Sequence, residues 1–188
     1  GQVADAIQDV AGRQAGPVQG DARVCEGVPH QREAQEVAEL DGGQVLRKTL
    51  ANPLFQRAMG FTGHPDMSNY TVQVDIRTDG NRRSMCSAGV VNQRYLIQLM
   101  GNYRALQISS NDERIKERVD FNMQPGVWYT LKTRVDVNAD GSGVVRARAW
   151  PRDEDEPGEW TLEVEHTHAH THGSPGLFGF SPQSRFHV

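Results

Sequence analysis

An all-β fold, two antiparallel sheets packed face to face as a sandwich or jelly roll, is predicted by three observations on this 188-residue chain. Short segments alternate apolar and polar residues with a period of two, which places one face of each in a core and the other in solvent. Gly, Asn, Asp and Pro punctuate these segments at the spacing of turns. No long stretch between them carries the 3.6-residue periodicity of an amphipathic helix, so crossover helices and a parallel sheet are not expected.

The elements follow in order. "QVLRKTL" opens the strand pattern near residue 44. In "NYTVQVDIRTDGN", Tyr70, Val72, Val74 and Ile76 share one face and Thr71, Gln73, Asp75 and Arg77 the other, with "TDGN" as a turn. "RYLIQLM" puts Tyr95, Ile97 and Leu99 together, and "YRALQIS" and "RIKERVD" continue the series. In "WYTLKTRVDV", Tyr129, Leu131, Thr133, Val135 and Val137 oppose Thr130, Lys132, Arg134 and Asp136. "GVVRARAW", "WTLEVE" and "GLFGF" complete about ten strands.

Residues 1–43 differ in composition. They are rich in Gln, Ala, Gly, Val, Glu and Arg and contain no aromatic residue. "QREAQEVAEL" suits a short helix, but too few apolar residues are present for a buried face, so a disordered or partly helical leader is expected. The net charge of −4 offers no field that gathers nucleic acid, and no aromatic-basic stripe is present. No apolar run approaches the roughly 20 residues of a membrane span, and no signal peptide is visible in this chain. Cys25 and Cys86 are the only cysteines and allow at most one bridge.

The succession "MSNYTVQVDIRT", "AGVVNQRYLIQLMGNYRALQI", "GVWYTLKTRVDV", "VRARAWPRDEDEPGEWTLEVE" and "GSPGLFGF" resembles the concanavalin A-like, laminin-G-like jelly-roll domains. More narrowly, it is similar to the jelly roll at the C-terminal end of bacterial pyrroloquinoline-quinone-type β-propeller proteins. The resemblance covers residues 44–188. It implies a final strand that "SRFHV" only begins, an exposed sheet edge in its place, and the loss of residues that hold calcium in some relatives. It also implies a periplasmic or extracellular setting and a neighbouring propeller as a partner.

Several side-chain groups are candidates for chemistry. Family-16 glycoside hydrolases, which share this fold, carry alternating acids on one strand for a nucleophile and an acid about 5 Å apart. Here Asp75 stands alone between Gln73 and Arg77, and "RDEDEPGEW" reads as a solvated loop. "DVNADGSG" matches the start of a calcium loop at Asp136, Asn138, Asp140 and Gly141, but Ala147 stands where a bidentate Glu is needed, and the same residues suit a hairpin turn. His166, His168, His170 and His172 alternate, and in an extended strand they would line one edge about 7 Å apart. A surface loop that binds a transition metal weakly and adventitiously is expected ahead of a dedicated site. On that basis, replacing His168 and His170 with Ala is expected to abolish nickel-resin retention and leave the melting temperature nearly unchanged.

Aromatic residues support a ligand surface, since sugar rings stack on Trp and Tyr while polar groups hold the hydroxyls. Arg146, Arg148 and Trp150 share the strand face opposite Val145, Ala147 and Ala149. Together with Tyr103, Asp75 and Arg77 they form the expected ligand-binding set. Trp128, at a strand start, is expected in the core. The reading is a non-catalytic exported module that binds carbohydrate or another cell-surface ligand, or docks on a propeller. A glycan hydrolase or lyase of the same fold, or a purely structural domain, is the alternative.

Overall fold

A computed structural model describes residues 35–48, 57–81, 83–110 and 115–182. Their strands, in chain order, are β1 (Gln35–Leu40), β2 (Gly43–Lys48), β3 (Arg57–Phe61), β4 (Thr71–Arg77), β5 (Gly80–Asn81), β6 (Ser84–Met85) and β7 (Ser87–Asn92). There follow β8 (Tyr95–Met100), β9 (Ala105–Ser109), β10 (Lys116–Asp120), β11 (Trp128–Val137), β12 (Gly143–Pro151), β13 (Leu162–His166) and β14 (Gly176–Phe180). No helix occurs among the described residues, so none there is long and apolar enough to cross a membrane.

Two antiparallel sheets make a β-sandwich. One has six strands in the order β10-β9-β8-β7-β14-β3, the other four in the order β13-β12-β11-β4. Neighbours in sequence pair through short turns over most of this order, but β14 returns late to lie between β7 and β3. The period-two pattern directs the inner faces. Tyr95, Ile97 and Leu99 of β8, Leu131 and Val135 of β11, and Val145 of β12 are fully or almost fully buried in one cluster. Each such aliphatic side chain contributes about 2 kcal/mol by leaving water. All the strand segments expected from residue 44 onward are strands here.

The β1–β2 hairpin is held outside both sheets. Its register ends at the pair Leu40–Gly43, and the two residues between, Asp41 and Gly42, have φ of 51° and 81°. That is the primed turn whose twist matches paired strands, and Asp-Gly is among the sequences that adopt it at least cost. The stretch "QREAQEVAEL", expected as a short helix, is therefore strand over Gln35–Leu40, where cross-strand pairing supplies the hydrogen bonds that a sparse apolar face could not reward as a helix. The rest of the expected leader, 1–34, and the residues 183–188 of the expected truncated final strand lie outside the described residues.

Candidate functional site

The hairpin β1–β2 and the edge strand β4 enclose a cleft of about 620 Å³. Asp41, at the hairpin tip, accepts hydrogen bonds from Trp128 Nε1 at 2.7 Å and Arg77 Nη1 at 2.8 Å. The Arg152 guanidinium lies 4.8 Å from the centre of the Trp128 ring. These contacts pin the hairpin to the ends of β4 and β11. Asp75, one strand step along, accepts from Thr130 Oγ1 at 2.7 Å. The lining thus joins polar groups of Asp41, Asp75, Arg77 and Arg152 to the Trp128 ring, with Ile76 and Phe178 as apolar surface. A cleft of this size and mixture suits a small polar ligand.

Electrostatics reinforce the arrangement. The Trp128 hydrogen bond, aided by the Arg77 charge, holds the Asp41 carboxyl below its ordinary pKa. A depressed carboxyl contributes stability that is complete above its unfolded value of 3.8 and is lost as the pH falls through the folded one. Acidification below about pH 4 is therefore expected to release the hairpin and change the tryptophan fluorescence. Asp41→Asn should remove that acid transition; if it persists unchanged, Asp41 is not the tie. Lys48, at the end of β2, also lines the cleft and is only 3 % exposed. Burial lowers its pKa and raises that of the free Cys86 thiol.

The structure divides the expected ligand-binding set. Asp75 and Arg77 line the cleft. Arg146, Arg148 and Trp150 do share the outer face of β12, with Val145, Ala147 and Ala149 in the core. That face is occupied by the protein itself, by segment 152–161 over Arg148 and by neighbouring strands at Arg146. Arg146 pairs with Asp136 and Glu163 at 2.7 Å each. Arg148 pairs with Glu156, donates to the Pro157 carbonyl and stacks on Trp160 at 4.5 Å. Trp150, paired with Thr130, is only 7 % exposed. The acidic run expected as a solvated loop thus reaches the sheet through Glu156, which also binds Lys132 at 2.8 Å. Tyr103 is exposed at the β8–β9 turn, on the other sheet.

Trp128, expected in the core, is half-buried on the outer face, because its even position on β11 points away from Leu131 and its indole N–H finds Asp41. Sequence reasoning missed it for want of a partner 87 residues away. "NG"-like turn chemistry at Asp41-Gly42 was the one signal that could have placed the hairpin.

The histidines do not share an edge. β13 ends at His166 and a turn follows at Thr167 and His168. His166 and His170 are buried, whereas His168 and His172 are exposed. His166 Nδ1 bonds to the Tyr95 hydroxyl, which also accepts from the His170 backbone N–H at 3.1 Å. His170 Nε2 meets Ser110 Oγ at 2.7 Å, and Gln93 Nε2 donates to the His170 carbonyl. The surface-loop expectation therefore holds for two of the four. No group of three or more His, Cys, Asp or Glu side chains suited to a metal occurs among the described residues.

"DVNADGSG" forms the connection between β11 and β12. Asp140 accepts from the Ser142 N–H and hydroxyl, and Asp136 is engaged by Arg134 and Arg146. A calcium ion there would have to displace both arginines from Asp136. Comparison with known proteins finds no family model that matches this chain and no curated protein that matches it.

Proposed function

We propose that this chain is a non-catalytic carbohydrate-binding module with a concanavalin A-like jelly-roll arrangement, and that the ligand occupies the cleft under the β1–β2 hairpin. The observation that supports it is the half-buried Trp128 ring, flanked by Asp41, Asp75, Arg77 and Arg152 in one cleft. An aromatic face beside fixed acceptors and guanidinium donors matches the apolar C–H face and hydroxyl rim of a sugar ring. An exported setting beside a propeller belongs to the same reading through the resemblance.

Three carboxylates in the cleft lining, Asp41, Asp75 and Asp79, raise the question of hydrolysis. Glycosidases need one carboxyl held protonated as an acid, and Asp41 is driven toward the ionised form by its donors. Binding is the reading its chemistry favours.

A glycan array probed with the full chain, followed by calorimetry on the best ligand, tests the proposal. Trp128→Ala should weaken binding by about 1–3 kcal/mol, the cost of losing an aromatic anchor, while Trp128→Phe should retain part of it. Absence of binding to every glycan, or equal affinity in Trp128→Ala, overturns the reading.

A further inference from the structure

Among the cations that line the cleft, Arg77 is engaged by Asp41 and Arg152 by the Trp128 ring, and Arg47 is not free either. Lys48 is different. Its side-chain nitrogen is buried and has no hydrogen-bond partner among the described residues. An ammonium group has three donors to satisfy, and leaving one buried without an acceptor is costly enough that native structures rarely do so without a reason. The nearby Cys86 thiol does not serve as counter-ion, because burial keeps it in the neutral S–H form and it donates to Ser181 Oγ at 3.5 Å. The cleft lining therefore includes, at the end of β2, a buried amine that no acceptor among the described residues satisfies.

We infer that the ligand of this cleft carries an anionic ring substituent, a carboxylate or a sulfate, that pairs with Lys48. The inference rests on the carbohydrate reading above and narrows it to acidic glycans. The protein as a whole is negative, so an acidic polymer gains nothing from general attraction and depends on local cations. A charge-assisted hydrogen bond in a partly dry cleft is among the stronger polar contacts available to a ligand.

The test compares two matched pairs on the full chain: polygalacturonate with its methyl ester, and dextran sulfate with dextran. At least one acidic polymer should bind about tenfold or more tightly than its neutral partner, the equivalent of one charge-assisted contact, and the pair that shows this identifies carboxylate or sulfate. Lys48→Met should erase the preference, and it should also raise the melting temperature without ligand, because it replaces a buried amine that lacks an acceptor among the described residues by an apolar chain of similar length. Lys48→Gln serves as a second variant, and Lys116→Met, at an exposed position on β10, should leave the preference intact. Should either Lys48 variant misfold, the wild-type protein still decides: the acidic polymer must raise its melting temperature more than the neutral one. Equal binding of acidic and neutral polymers, or a preference that survives in Lys48→Met, overturns the inference and leaves the carbohydrate reading standing. Binding of none of the four, together with a blank glycan array, overturns both.

Discussion

His170→Ala is expected to destabilise the sandwich by about 3 kcal/mol, whereas His168→Ala, two residues away, should change stability by less than about 0.5 kcal/mol. The imidazole of His170 is buried and its Nε2 is the partner of Ser110 Oγ. Removing it leaves a buried hydroxyl without that bond, at about 1–3 kcal/mol, and a cavity beside the Tyr95 and His166 rings, which lie 4.7 and 5.9 Å from it between centroids. The same cluster steadies the β7–β8 turn. There Gln93 and Arg94, neither of them glycine, adopt φ of 49° and 73°, a conformation that costs about 1 kcal/mol or more per residue. Gln93 is kept there by the Tyr70 hydroxyl at 2.9 Å, by the Asn69 N–H at 2.9 Å and by its own bond to the His170 carbonyl. Thermal unfolding of the two variants is the check, with a shift of roughly 6–12 °C for His170→Ala in a domain of this size. Equal, small shifts would mean that His170 is as dispensable as His168. Nickel-resin retention, by contrast, should follow the exposed His168 and His172.

Gly89→Ala should cost upwards of about 3 kcal/mol and is the substitution most expected to prevent folding. Gly89 sits in the middle of β7, paired with Gln98 of β8 on one side and Phe178 of β14 on the other. A Cβ there would stand 2.1 Å from the Ile97 carbonyl oxygen and 2.6 Å from Gln98 Cα. These are backbone atoms of a paired strand, so no rotamer change relieves the overlap. The ladder between β7 and β8 would have to open, and with it the wall of the cleft that Gly89 helps to line. Gly158→Ala is the control. It lies in the segment over the four-stranded sheet with nothing within 4 Å of its would-be Cβ, and should be neutral within about 0.5 kcal/mol. Denaturant unfolding of both variants measures the difference, and a near-neutral Gly89→Ala would show that the strands can part more easily than their packing implies.

How much of this was legible beforehand varies by residue. Alternation along a strand is local: successive side chains point to opposite faces whatever the partner strand. It was enough to place Tyr95, Ile97, Leu99, Leu131 and Val145 inside, and Arg146, Arg148 and Trp150 outside. It did not reveal that the outer face of β12 is covered, because Glu156 reaches Lys132 24 residues away in the chain. Strand periodicity carried through "WTLEVEHTHAH" suggested a row of histidines, but the strand stops at His166 and the turn brings His170 inward to meet Tyr95, 75 residues distant.

The sequence by itself determined an all-β chain, most of the strands from residue 44 onward, though not β3, β5 or β6, and which side chains of those strands share a face. These depend on backbone geometry and on transfer of apolar groups from water, both readable within a window of a few residues. The tertiary structure alone decided the cleft: that the 35–48 hairpin closes over β4, that Asp41 joins Trp128 and Arg77, and that the buried Lys48 lines the same cleft. Such contacts join strands far apart in sequence. They depend on which edge a short, weakly apolar hairpin can cover, and nothing in its own residue pattern specifies that.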